Sequence, residues 1–211
     1  ANLGTAFAFM GYKTLMIDAD PQASLTNMMG IDASSEDITH IGHLMEQSVA
    51  HKGQVDVAAA VRPVFADGML DIIPADITLT NADGWLMNQM QRETVFDRLL
   101  ASQTEFFGQY DVIVVDSAPG TSLLSMNVMV ASRTQLAVCW LDRENLKALP
   151  ILLGNVDEIN AAFPNHASDV EIVANGYSAI YKQSKEALEV LVAKYPHQLN
   201  ENVIQQFSGF H

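Results

Sequence analysis

Two stretches of this chain share one layout, and that layout limits the fold more than any other feature. Thr14-Leu15-Met16-Ile17-Asp18-Ala19-Asp20-Pro21-Gln22 begins as a short, apolar, fully buried strand. It ends in two carboxylates spaced i, i+2, then a proline that stops the ladder. Tyr110-Asp111-Val112-Ile113-Val114-Val115-Asp116-Ser117-Ala118-Pro119-Gly120 repeats the arrangement: an apolar strand, an Asp, and Pro119 three residues on. Open parallel sheets place their chemistry at the carboxyl ends of the strands. Two such ends side by side bring Asp18, Asp20 and Asp116 around one pocket. Hard carboxylate oxygens suit a hydrated divalent cation such as Mg²⁺, together with a phosphate.

The rest of the chain alternates strand and helix patterns. A helix over Ala1–Met10 closes at Gly11 in the left-handed conformation. Lys13 to Asp18 is a strand, Pro21 to Gly30 a switch-like turn, and Asp32 to Asp37 a polar loop. Ile41, Leu44, Met45 and Val49 fall at helical spacing. Val55–Val61 reads as a short amphipathic piece and Met69–Ile73 as a strand. Asp76–Gln103 reads as one or two helices broken at Gly84. Val112–Asp116 is the core strand, and Ser122 caps a helix to Ala131. Strands at Leu136–Leu141, Val170–Asn175 and Val203–Gln205 flank helices at Glu144–Phe163, interrupted by Pro150 and Gly154, and at Ser184–Tyr195. The expected fold is α/β, a doubly wound and mostly parallel sheet with helices on both faces, in a single domain over 1–211.

Composition narrows the function. The chain has 211 residues with 49% hydrophobic and 17% charged, as a globular domain requires. No apolar run reaches the roughly 18 residues that span a membrane, and no signal peptide is visible. One cysteine, Cys139, cannot form an internal disulfide or a Cys-ligated cluster. A cytoplasmic address follows by elimination. The net charge of −14 argues against a broad nucleic-acid surface, so any phosphate-binding face must be local. Met28, Met29, Met87 and Met90 read as gap-filling core residues.

Asp18-Ala19-Asp20-Pro21-Gln22-Ala23-Ser24-Leu25-Thr26 resembles the DxDPQ segment of ParA-type partition ATPases. Val112–Pro119 resembles their Walker B strand and second switch. Ala1–Gly4, Gly11–Lys13, Ile73-Pro74-Ala75 and Ser122–Asn127 fit the same order. Ser132-Arg133 stand where family members often carry an acidic residue. The resemblance implies a P-loop NTPase-like fold of the deviant Walker A kind, with ATP and Mg²⁺ as cofactors. It implies that Asp116 holds Mg²⁺ through water, that Asp18 supports the metal from behind, and that Asp20 orients the attacking water. Pro119 and Gly120 match the second switch near the γ-phosphate, and Asn175 falls where an amide meets adenine.

The family works as an ATP-bound homodimer on nonspecific DNA, near the nucleoid, and a ParB-like centromere-binding protein triggers hydrolysis. Lys182, Lys185 and Lys194 are the candidates for a DNA-facing surface. No G-x-x-x-x-G-K-[ST] occurs in the chain. The resemblance therefore implies that a phosphate loop precedes Ala1 and that a final strand and helix follow His211. The chain as it stands is expected to hydrolyse little or no ATP. Two other readings remain open: a MinD-like division-site ATPase, which needs a C-terminal amphipathic helix, and a nucleotide-free binding scaffold.

Overall fold

A computed structural model describes residues 1–206 except 33, 35–37, 52 and 66–67. Most of the expected Asp32–Asp37 loop and the chain end at Gly209-Phe210-His211 therefore lie outside the described residues. The chain divides into two compact units, Ala1–Ala131 and Ser132–His211, where the sequence suggests one domain.

The first unit is built on four strands: β1 (Thr14–Ala19), β2 (Arg62–Phe65), β3 (Leu70–Ile73) and β4 (Val112–Ser117), in the order β2-β3-β1-β4. β1 runs parallel to both β3 and β4, and every residue of β1 is buried. β2 pairs antiparallel at the sheet edge, with a register shift between Pro63 and Phe65. It was not expected as a strand. Pro63 lacks the N–H of a ladder donor, which restricts such a segment to an edge.

Alternating side chains of β1 serve opposite faces. Leu15 and Ile17 join one core with α3 (Ile41–Ala50), α5 (Val95–Ser102) and α7 (Leu123–Ala131), through Leu44, Phe96 and Val128. Met16 joins a second core with Leu70, Ile72, Ala8 of α1 (Asn2–Phe9) and Leu25 of α2 (Ser24–Met28). Helices therefore cover both faces, as the doubly wound fold demands. α1 approaches so closely that a Cβ on Gly4 would stand 2.6 Å from the Met16 sulfur. Gly11 ends α1 at φ +91°, in the left-handed region expected of it.

Between β3 and β4 the expected helical stretch is divided. A 3-10 turn (Ile77–Asn81) leads into α4 (Ala82–Leu86), and another (Arg92–Thr94) precedes α5 and α6 (Thr104–Phe107). Gly84 lies inside α4 rather than breaking it. The interruption falls at Met87–Gln91, where Gln91 takes φ +51°. Val55–Val61 yields only a 3-10 turn at Ala58–Ala60.

The second unit pairs β5 (Thr134–Trp140) with β6 (Asp169–Asn175) in parallel, with α8 (Arg143–Ala162) and α9 (Lys182–Lys194) packed through Leu149, Leu153, Ala187 and Leu191. α8 runs unbroken through Pro150 and Gly154, contrary to expectation. Pro150 costs the helix one backbone bond, but its buried stripe of Leu149, Leu153, Val156 and Ile159 continues on both sides. The expected strand at Val203–Gln205 is reduced to a bridge, Tyr177↔Gln205, with Ile204 N–H donating to the Ala174 carbonyl.

Candidate functional site

The parallel register places Asp18 of β1 directly opposite Asp116 of β4, at the carboxyl ends of adjacent strands. Asp18 is fully buried, and three donors meet it. Its Oδ2 accepts from Thr26 N–H at 2.9 Å and Thr26 Oγ1–H at 2.7 Å, while its Oδ1 accepts from Asp20 N–H at 3.1 Å. Thr26 Oγ1 in turn accepts from Ala75 N–H at 2.8 Å. Thr26 thereby ties α2 to the end of β1 and to the residue after Pro74. Both Asp18 oxygens thus serve the protein, which suits a supporting carboxylate.

Asp20 lies just beyond the strand, half-buried. Its Oδ1 accepts from Gln22 N–H at 2.9 Å, and its carbonyl accepts from Ala23 N–H at 2.9 Å, closing a tight turn around Pro21. Ala23 holds φ +52°, a conformation that L residues other than Asn and Asp seldom adopt. A carboxylate has lone pairs to spare for a further donor after one such bond.

Asp116 differs from Asp18. Its residue is exposed, yet protein atoms crowd its carboxyl and raise its pKa, first through burial and then through the charge of Asp18. Asp20 adds to the rise. A crowded carboxylate next to two others fits a cation that would relieve the repulsion. Among the described residues no group of three or more His, Cys, Asp and Glu side chains could hold a metal. That does not count against Mg²⁺, which keeps waters and takes one or two carboxylates plus substrate phosphates. The raised pKa has a consequence for stability. Asp116→Asn removes the repulsion and is expected to raise the melting temperature at pH 7, as read by calorimetry; an unchanged or lower value would mean that the three carboxylates do not repel.

Pro119 and Gly120 are exposed in the turn after β4, with Gly120 at φ +116°. Ser122 Oγ accepts from Ser125 N–H at 3.0 Å, the expected cap of α7. A second cap was not foreseen. Asp83 of α4 accepts from Leu123 N–H at 3.2 Å and Leu124 N–H at 3.0 Å, neutralising the start of the helix that follows the turn. Asn127 is also fully committed: its Oδ1 accepts from Phe96 N–H, and its amide donates to the carbonyls of Arg92 and Leu123.

These residues belong to the first unit. Asn175 stands in the second, half-buried at the end of β6 opposite Trp140, with its carbonyl accepting from Leu141 N–H at 3.0 Å. Gly176 follows at φ +73°, and a Cβ there would meet the Trp140 indole at 2.6 Å. Lys182 and Lys185 are exposed on α9, where Lys182 pairs with Glu186 at 3.3 Å.

The model of the AAA_31 family, an AAA domain, matches residues 1–170. The cell division protein PomZ of Myxococcus xanthus is 28% identical over 214 residues, covering 99% of this chain and 63% of that protein. The sporulation initiation inhibitor protein Soj of Bacillus subtilis is 28% identical over 155 residues, 74% of this chain and 57% of Soj. The chain thus spans less than two thirds of the length of either relative. Among solved structures, the Cyanothece McdA–ATP complex superposes with a TM-score of 0.79 at 21% identity, covering 93% of this chain and 73% of McdA. Cobyrinic acid a,c-diamide synthase of Mycobacterium smegmatis, with an ATP analog and magnesium, gives 0.76 at 22% identity, covering 92% of this chain and 74% of the synthase. With four-fifths of its length matched, this chain belongs to the AAA_31 family and to the ParA/MinD-type superfamily of partition ATPases.

Proposed function

We propose that the protein is a ParA-like ATPase that binds MgATP at the carboxyl end of its sheet and serves to partition or position a cargo. The observation that carries this reading is the register of Asp18 opposite Asp116, with Asp20 just beyond. ATP and magnesium in the structural relatives support the choice of ligand. Bound Mg²⁺ supplies charge neutralisation on the phosphates. Asp116 would hold it, and Asp18, engaged by Thr26 and Asp20, would fix the frame behind it. Asp20 orients the attacking water; phosphoryl transfer depends on such positioning more than on covalent chemistry. Pro119 and Gly120 form the second switch and Asn175 meets the adenine edge.

The protein acts as an ATP-dependent homodimer on nonspecific DNA, with hydrolysis stimulated by a ParB-like partner. With a net charge of −14, its DNA contact is confined to a local patch, for which Lys182, Lys185 and Lys194 of α9 are the candidates.

The test is ATP turnover by the whole protein in the presence of DNA. Asp20→Ala is expected to lower kcat by about 100-fold or more while nucleotide affinity stays within about threefold. Unchanged turnover would remove Asp20 from the mechanism. Absence of nucleotide binding by the unmutated protein would instead leave only the scaffold reading.

A further inference from the structure

The first unit carries a cavity of about 490 Å³ between the C-terminal half of α3, the Asn88–Met90 loop and α5. None of its lining residues belongs to the carboxylate site. Its volume is that of a small-molecule site. Val95 is buried in one wall, and Val49 and Met90 present apolar surface at the rim, 39% and 87% exposed. Arg98 is the one charged residue of the lining. It is exposed on α5, and its Nη2 donates to the Met90 carbonyl at a long 3.4 Å, so the guanidinium faces the same space as the Met90 side of the loop.

The cavity is also held open by backbone. Gly53 stands at φ +89°, and a Cβ there would come within 3.1 Å of Ser102 Cβ. Its N–H donates to the Ser48 carbonyl at 2.7 Å, and its own carbonyl accepts from Gln103 Nε2 at 2.6 Å. This corner is therefore pinned from both sides with no side chain to fill it. On the loop, the amide groups of Asn88 and Gln89 donate to the Gly84 and Trp85 carbonyls, both at 3.2 Å. Their side-chain oxygens retain lone pairs as acceptors for a ligand N–H.

We infer that this cavity binds an apolar carboxylate, with the anionic group on Arg98, the apolar part against Val49, Met90 and Val95, and an amide N–H within reach of Asn88 or Gln89. Arg is the side chain whose fork matches a carboxylate, and Arg98 is the only charged residue lining this open, partly apolar groove. A free small molecule and the C-terminal residue of a peptide share this chemistry.

The experiment is amide chemical-shift mapping on the full chain with N-acetyl-L-leucine as probe. Shifts are expected at residues 48–53, 88–90 and 95–102, with N-acetyl-L-leucinamide binding at least about tenfold more weakly. Arg98→Gln and Ser102→Leu change exposed positions and should fold normally, the first removing the charge and the second filling the space. Each is expected to weaken binding by about tenfold or more. A tetrapeptide ending in leucine that binds about tenfold tighter than N-acetyl-L-leucine would identify a peptide terminus as the source; equal or weaker binding would identify a free carboxylate. Absence of shifts with both probes, or equal affinity for the acid and the amide, would overturn the assignment.

Discussion

Asp18→Ala is expected to lower the unfolding free energy by about 3–5 kcal/mol, measured by urea denaturation at pH 7. The carboxylate accepts from Thr26 N–H, Thr26 Oγ1–H and Asp20 N–H, and Asp18 is fully buried. Hydrogen bonds to a charged acceptor contribute about 1.5–3 kcal/mol each, and a buried donor left without a partner costs about 1–3. Globular domains have only about 5–15 kcal/mol in total, so the variant should be near its folding limit at 37 °C. Asp18→Asn separates charge from shape: it keeps one acceptor oxygen but turns an NH₂ toward the donors, and is expected to lose nearly as much. A change below about 0.5 kcal/mol in Asp18→Ala would show that these bonds do not hold the switch to the sheet.

The second large effect is a loss of stability in acid centred on His40. His40 is 2% exposed and caps α3: its Nδ1 accepts from His43 N–H at 3.3 Å, so Nε2 carries the proton and faces Thr78 Oγ1 at 2.9 Å. The His43 ring stacks on it at 3.7 Å, and Asp76 Oδ1 stands 3.4 Å from Nε2. Burial, then the neighbouring His43, push its pKa down to about 4, against the partial pull of Asp76. A depressed value means that the unfolded chain takes up its proton first. The contribution is whole above about pH 6.5 and declines as pH falls, until it is gone below about pH 4. Two and a half pKa units correspond to about 3 kcal/mol. Unfolding curves at pH 7 and pH 4 should show the wild type losing about that much more than His40→Asn, which caps a helix without titrating. Equal losses in the two proteins would place the acid sensitivity elsewhere.

How much of this was legible in the sequence depended on distance along the chain. The strands β1 and β4 were readable because each is a continuous apolar run closed by Asp and Pro, and their register followed once both were parallel. Gly11 was readable as a helix stop because few other residues take φ +91°. The helix through Pro150 was misread because a local breaker was weighed without the buried stripe that overrides it. Met87 and Met90 read as gap-filling core residues, yet they are 63% and 87% exposed, on a loop whose turn at Gln91 carries no sequence signature. Within the site, the carboxylates announced themselves. Their supports did not, since Thr26 to Ala75 and Asp83 to Leu124 are bonds between residues dozens of positions apart. A histidine as helix cap was equally invisible, because Ser, Thr, Asp and Asn are the expected types.

Thr26 Oγ1 is a donor and an acceptor at once, to the Asp18 carboxylate and from the Ala75 amide. One hydroxyl therefore sits where three separate pieces of chain meet. The turn from Asp20 to Thr26 cannot lift away from the sheet alone, for its departure would strip a partner from the corner after Pro74 as well. Whatever displaces that turn must supply new partners for three amides, a hydroxyl and a carboxylate together, so it should move in one step rather than by gradual loosening.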